Sequence, residues 1–433
     1  MKILIITSFF PPQNSIASQR PYSWAKYWSR DGHDVTVLTV PKKPLPSDSP
    51  QSFEGFQVME IPIPFMGFVQ RIFSDKNTSL TPGLVDRRTQ RRTTIKKRFR
   101  SQIAQWQRQY GIAYGCRMPD PMDFWCGTAL KAVRNQQWDL VVSTAWPYGV
   151  HGPAYRMKKA GIARHWIADW RDLWTDNHMY PGLPVLRALE RILERRWSLM
   201  ADAITTVSMP LADVLRVKYG SKVHVIYNGF DQEDYTSLPA ARIFPDDGVF
   251  RIVYTGSIYA GQQDPSPLFE AVRNLKIEGE ISPERLKIIF CGNNADVTDL
   301  ARMHAVEEFV EYAGFLPRQQ ALRMQRDADA LLFLEFESDK IQGILTGKLF
   351  EYLFAGPHIL GVGVGDNSSA GQLFRKTGRG ECFGNDVKRL AREIRLRISN
   401  ACNPAQFASK VDYPSIMEFS REVQSKKMLK ILS

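Results

Sequence analysis

What most constrains this chain is an alternation that occurs twice. Short apolar runs of strand length are separated by segments whose apolar residues recur at helical spacing, the pattern of parallel sheets covered by helices on both faces. In the first half, Lys2 to Thr7 reads as a buried strand, Pro11-Pro12 as a turn and Ser18 to Arg30 as a helix that stops at Gly32-His33. Asp34 to Val40 is the next strand, which completes a βαβ unit. Asp139 to Thr144, a helix from about His151 to Lys159, the strand His165 to Asp169, a helix from Pro184 to Met200 and the strand Ala203 to Val207 continue the series. The second half repeats it with strands at Arg251 to Thr255, Leu286 to Phe290, Ala330 to Phe336 and Ile359 to Val362, and a helix at Pro265 to Leu275. The expected fold class is therefore α/β, with two doubly wound domains facing a central cleft. Tyr227 to Phe230 and the polar stretch to Asp247 lie between the halves. The expected domains are 1–228, with a basic insertion at about 66–120, then 229–410, then a C-terminal helix within 411–433 crossing back to the first domain.

A chain of 433 residues with 44% hydrophobic residues has material for about two or three domains. No apolar run approaches the roughly 18 to 20 residues that a bilayer span needs. The N-terminus runs from a strand pattern into turn residues and lacks the pattern of a secretory signal, so a cytoplasmic protein is expected. The five cysteines have no paired short spacing and read as reduced thiols. The 57 basic against 45 acidic residues give a net charge of +12, which favours an anionic partner: a nucleotide, a nucleic acid or an acidic membrane face. Between Arg87 and Arg108 there is no acidic residue, and Ile95, Phe99, Ile103 and Trp106 fall at helical spacing. This reads as a basic helix with one apolar stripe.

In doubly wound domains ligands bind beyond the carboxyl ends of the strands, so chemistry is sought in the loops just after them. After the first strand, Pro11-Pro12 leads through Asn14 to Ser18 into a helix carrying Arg20, an approach suited to an anionic or sugar ligand or simply to an ordinary turn. After Ala168 come Asp169-Trp170-Arg171-Asp172-Leu173-Trp174, which suit sugar hydroxyls and phosphate, or a structural ion pair. Ile344 to Gly356 reads as a helix whose first turn, at Thr346 and Gly347, offers free amides to a diphosphate, with Lys348 adding charge and Glu351 one turn on able to accept ribose hydroxyls. A capped amphipathic helix with solvated Lys and Glu is the plainer reading. His151 stands at a helix start and is a candidate for contact with a reacting hydroxyl, while His33 reads as packing.

Taken in order, Phe10-Pro11-Pro12, Gly32 to Leu38, Asp169 to Trp174, Val225 to Asp231, Tyr254-Thr255-Gly256-Ser257 and Lys348 to Gly356 resemble family 4 glycosyltransferases of the GT-B fold, two Rossmann-like domains across a cleft. The resemblance implies that Glu351 binds ribose, that Thr346, Gly347 and Lys348 bind the diphosphate, that Gly256 and Ser257 lie below the phosphates, and that Phe315 is near the base. It places Pro12, Asn14, Arg20, Asp169 and Trp174 on the acceptor side and Asp172, Arg171 and His151 at the chemistry. Three departures stand out. Gly343 occupies the place of a first glutamate, Asn14 to Ser18 replace a Gly-Gly loop, and Gly261-Gln262-Gln263-Asp264 lacks the basic residue expected after Gly256-Ser257.

The implied activity is transfer of a sugar from a nucleotide diphosphate sugar to an acceptor hydroxyl, retaining and metal-independent, with no cofactor beyond the sugar nucleotide as co-substrate. The implied setting is surface polysaccharide or glycolipid biosynthesis. A carbohydrate or lipid-linked acceptor, an anionic membrane surface met through Arg87 to Arg108 on the inner face of the cell membrane, and no nucleic acid complete the expectation. The alternatives are a sugar-nucleotide epimerase of the same fold and a basic membrane- or nucleic-acid-binding protein with a vestigial cleft.

Overall fold

The structure, a computed structural model, describes residues 1–13, 15–42, 53–64, 102, 105–107, 109–113, 115–177, 180–259, 261–294, 296–336, 345–399 and 411–432. Asn14, Gly343 and the segment from Arg87 to Arg100 lie outside the described residues, as does part of the stretch from 101 to 108.

Two parallel sheets organise the chain. The first holds β1 (Lys2–Thr7), β2 (Asp34–Thr39), β3 (Gln57–Glu60), β4 (Trp138–Thr144), β5 (Ala163–Arg171), β6 (Ala203–Thr206) and β7 (Val223–Val225), in the order β3-β2-β1-β4-β5-β6-β7. The second holds β8 (Phe250–Thr255), β9 (Leu286–Cys291), β10 (Val310–Gly314), β11 (Ala330–Leu334), β12 (His358–Val362) and β13 (Gly380–Gly384), in the order β10-β9-β8-β11-β12-β13. The central strands are apolar on both faces for a visible reason. Leu4 and Ile6 of β1 enter one core and Ile3 and Ile5 another, on opposite sides of the sheet. In the second sheet Ile252 and Tyr254 serve one core and Val253 the other. The strand order reverses direction between β1 and β4 and between β8 and β11, the two places where a doubly wound sheet opens a crevice for ligand.

β3, β7, β10 and β13 go beyond what the sequence pattern reveals, β7 because it is an edge strand of only three residues. β3 and β10 are edge strands without a continuous apolar run, and β13 contains Gly380 and Gly384. The C-terminal segment also differs from the single helix expected within 411–433. It forms two helices, Tyr413–Met417 and Arg421–Leu429. The break is built by Phe230, whose N–H donates to the Phe419 carbonyl at 3.2 Å and whose carbonyl accepts from the Arg421 N–H at 2.7 Å. Ser420 then caps the second helix by accepting from the Val423 N–H. Ile416 packs in the second domain's core, whereas Met428 packs in the first domain's core, and Trp28 Nε1 donates to the Ser425 carbonyl at 3.0 Å.

Candidate functional site

A cavity of about 320 Å³ lies where the carboxyl ends of β8 and β9 meet the helix Gly347–Ala355. Thr255, Gly256 and Ser257 form one wall, Thr346, Gly347, Lys348 and Glu351 another, and Ser15 and Ile16 of the first domain close it. Thr346 occupies the N-cap position in extended backbone, without a side-chain cap, so amides of the first turn stay available. Gly347 is required by the approach of the two domains, because a Cβ there would lie 2.5 Å from Cδ1 of Ile16. Gly292 is required too: its φ is +130°, and a Cβ would lie 2.4 Å from the Gly256 carbonyl oxygen.

Lys348 reaches across this cavity. Its Nζ donates to Tyr254 Oη at 2.5 Å and lies 4.0 Å from the centre of that ring, while Tyr254 Oη donates to the Ser257 carbonyl at 2.9 Å. Burial pushes the Lys348 pKa down to about 7, with Glu351 pulling weakly the other way. Glu351 is held from behind. Oε1 accepts from Arg318 Nη1 at 2.9 Å, and Oε2 has only a longer bond from Gln325 Nε2 at 3.3 Å. Arg318 in turn binds Asp234 at 2.6 Å. Burial pushes the Glu351 carboxyl up, but Arg318 and Arg421 outweigh it and hold it below its ordinary value. A carboxylate so fixed stays ionised and retains acceptor capacity on Oε2 toward the cavity. Phe315, 62% exposed, stands at the rim.

The first domain's expected residues separate into two groups. Arg171 and Asp172 remain partly exposed at the end of β5, where Arg171 Nη1 donates to the Ala145 carbonyl at 3.2 Å and Asp172 Oδ2 accepts from Trp146 Nε1 at 2.7 Å. Arg171 has φ +60°, a strained setting for a side chain of that size. Pro12 is half-buried in the turn after β1. The others are interior, contrary to expectation. Arg20 and Asp169 form a buried bidentate pair, Nε to Oδ2 at 3.0 Å and Nη2 to Oδ1 at 2.8 Å. Thr144 and Thr205 each donate to the same carboxylate at 2.7 Å, and Arg20 Nη1 also donates to the carbonyls of Ile226 and Tyr227. With these partners taken, neither side chain is presented to an acceptor. Trp174 is buried between the stacked rings of Tyr148 at 4.3 Å and Trp197 at 5.6 Å. His151 has no exposed surface. Its Nδ1 lies 2.8 Å from Ser143 Oγ, its ring 4.1 Å from Trp170, and burial lowers its pKa to about 3, so it is a neutral core imidazole rather than a group on the cleft wall.

Residues 98–234 match the family model described as Glycosyltransferase Family 4. The match falls almost wholly within the first domain. The whole chain has the GT-B fold. It is similar to a glycosyltransferase from Rickettsia africae, with TM-score 0.61, 12% identity and coverage of 100% of this chain and 97% of that one. It is similar also to the catalytic domain of starch synthase IV from Arabidopsis thaliana bound to ADP and acarbose, with TM-score 0.62, 10% identity and coverage of 100% and 98%. A putative UDP-N-acetylglucosamine 2-epimerase from Listeria monocytogenes shares the architecture at TM-score 0.53, 12% identity and coverage of 100% and 95%. No curated protein matches the sequence.

The residues that shape the cavity but are absent from the sequence analysis are Arg318, Gln325 and Asn294, while Tyr254, named there only within a motif, takes its role from the bond to Lys348. Asn294 pins the glycine loop, with Nδ2 donating to the Gly256 carbonyl at 2.7 Å and Oδ1 accepting from the Ile258 N–H at 2.6 Å. Gln325 Nε2 also donates to Thr255 Oγ1 at 2.9 Å. Arg318 had a usable signal, a basic residue opening a helix directly after Pro317, but without β10 in view that helix had no strand end to point from. Among the described residues, the grouping of metal-ligand types is His358, Glu381 and Glu393, whose ligand atoms lie within 4.8 Å of one another. It sits at the opposite end of the second sheet from the cavity, and its carboxylates already engage Arg389 and Arg397.

Proposed function

We propose that this glycosyltransferase moves a sugar from a nucleotide diphosphate sugar, held in the 320 Å³ cavity, to an acceptor hydroxyl entering from the first domain. The observation that carries this reading is the convergence of an open helix N-terminus, the Lys348 ammonium and an arginine-held Glu351 carboxylate on one cavity at a topological switch point. As the bond from sugar to diphosphate breaks, negative charge grows on the leaving oxygen, and the Gly347 turn and Lys348 are in place to stabilise it. Glu351 Oε2 would accept hydrogen bonds from the ribose, and Phe315 at the rim offers a face to the base. Arg171 and Asp172 are the described polar side chains at the end of β5 left partly exposed toward the acceptor. Retention of configuration, independence of a metal or other cofactor, and a role in surface polysaccharide or glycolipid synthesis belong to the same proposal. So do a carbohydrate or lipid-linked acceptor and a peripheral position on the inner face of a membrane. No helix among the described residues is long and apolar enough to cross one.

A thermal-shift screen of nucleoside diphosphates and their sugars tests the donor site, since a bound ligand raises stability by RT ln(1 + [L]/Kd). Glu351→Ala should weaken nucleotide binding by about 1 to 3 kcal/mol, the cost of losing a charged hydrogen bond. Unchanged affinity in both Glu351→Ala and Lys348→Ala would remove the site from consideration. Product analysis with and without acceptor separates transfer from epimerisation, which needs no acceptor. Asp172→Asn and Arg171→Ala should lower turnover while the melting temperature stays within a few degrees. A large stability loss with normal specific activity would instead mark them as structural.

A further inference from the structure

The helix Pro184–Met200 sorts its charges to opposite sides. Both of its acids turn inward. Glu190 is fully buried and paired with Arg117 at 2.8 Å, and Glu194 is buried where Tyr219 Oη and the Thr175 N–H donate to it at 2.9 and 2.8 Å. Arg191, Arg195 and Arg196 are exposed, and Arg191 and Arg195 have no ion pair among the described residues. Alongside them runs an apolar row on one helix face: Val185 is 84% exposed, Leu189 43%, Ile192 56% and Leu199 56%. The steps of four, three and seven residues keep these side chains on one side of a helix roughly 25 Å long, with Arg195 and Arg196 exposed between Ile192 and Leu199.

Singly exposed aliphatic side chains need no explanation, but four on one side of a helix do. Here their face is bordered by unpaired guanidiniums and cleared of negative charge, because the two glutamates that would oppose an anion are withdrawn into the domain. That composition complements a surface that is both apolar and anionic, as the interface of an acidic phospholipid bilayer is. A second observation lies on the flank of the same helix. Leu193 and Trp197 line a cavity of about 310 Å³ with Met122 and Cys126, and its wall holds Arg156 and Arg196 against one acid, Asp123, whose carboxylate already accepts from Tyr148 Oη, so apolar room and a positive balance occur together again. In the chain this helix is the element that follows β5, at whose end Arg171 and Asp172 stand.

We infer that the exposed face of Pro184–Met200 docks the first domain on an anionic bilayer. The inference uses the proposed transfer reaction only to say what is gained there, access to a lipid-linked acceptor. It also assigns docking to a different element from the Arg87-to-Arg108 segment that the sequence suggests.

The test is sedimentation of the full chain with phosphatidylcholine vesicles, with and without phosphatidylglycerol. Binding should require phosphatidylglycerol and fall with added salt. The double variant Arg191→Glu/Arg195→Glu should bind at least about tenfold more weakly, as about 1 kcal/mol for each basic residue at the surface implies. Val185→Ser/Ile192→Ser should weaken binding without changing its salt dependence. Both variants should keep the wild-type melting temperature and nucleotide stabilisation, because these side chains lie outside the core. Equal binding to both vesicle types, or binding to neither, overturns the inference. So does binding that both variants retain while Arg91→Glu/Arg92→Glu/Lys96→Glu/Lys97→Glu abolishes it. Lipid binding that persists in a protein stabilised by no nucleotide would sink the transfer reading and leave the docking face standing.

Discussion

Asp169→Ala should destabilise the protein by about 3 to 5 kcal/mol, the range found when one partner of a buried ion pair is removed. The loss is large because the variant leaves Arg20 charged, 2% exposed and without its counter-ion, and leaves the Thr144 and Thr205 hydroxyls without their acceptor. The pair also joins three elements: β5 through Asp169, the first helix through Arg20, and the end of β7 through the Ile226 and Tyr227 carbonyls that Arg20 binds. Denaturant titration measures the effect, and a change under about 1 kcal/mol would mean that the network is dispensable. The effect has a pH signature. Burial pushes the Asp169 carboxyl up, but Arg20 and the threonine hydroxyls more than compensate and leave it below its ordinary value. Stabilisation from this group is therefore present above the unfolded pKa, near pH 4, and is lost as pH falls through the folded value. The acid limb of the stability curve should be shallower in Asp169→Ala than in the wild type.

Lys348→Met should weaken nucleoside diphosphate binding on the order of tenfold to a hundredfold, the size of one to two charge-assisted contacts. Proton linkage distinguishes this from a packing defect. With a pKa of about 7 in the free protein, Lys348 is largely neutral at pH 8, and a diphosphate beside it favours the ammonium. Binding at pH 8 should take up close to one proton, seen as a calorimetric enthalpy that varies with the ionisation enthalpy of the buffer. The uptake should vanish in Lys348→Met. If it persists, another group carries it. For the free protein the slope has the same sign as for the carboxylate, because both folded values are lowered, but it falls in a different window: the unfolded chain holds this proton up to about pH 10, so stability rises as pH climbs from about 7 toward 10, and the methionine variant lacks that slope.

The sheets were legible because period and length speak directly to burial. Lys2–Thr7 and Phe250–Thr255 are strands that two cores compete to cover, and such runs have few alternatives. The edge strands were not, since Gln57–Glu60 and Val310–Gly314 are held by their neighbours' backbone rather than by their own apolar pattern. At the site, the helix start at Thr346 and Gly347 was readable because free amides and a following lysine are local features. Arg20 and Asp169 were misread because a charged residue after a strand has the same spelling whether it faces ligand or core. One clue was available. Arg20, Trp24 and Trp28 share a helix face at steps of four, and that face is buried, with the guanidinium 4.9 Å from the Trp24 ring. His151 carries the same lesson, for a helix start beneath three tryptophans does not open on a cleft.

The return of the last helix to the first sheet also bears on how the protein is made. Met428 fills the core that Ile3 and Ile5 begin, and Ser425 receives the indole hydrogen of Trp28. During synthesis the first domain emerges early yet lacks part of its interior until some four hundred residues later, after the second domain has been translated. The half made first is the half completed last. A nascent chain halted before Arg421 should display an apolar groove along the Ile16–Arg30 helix, and that groove is where a chaperone, or a peptide copy of residues 411–432 supplied in trans, should bind.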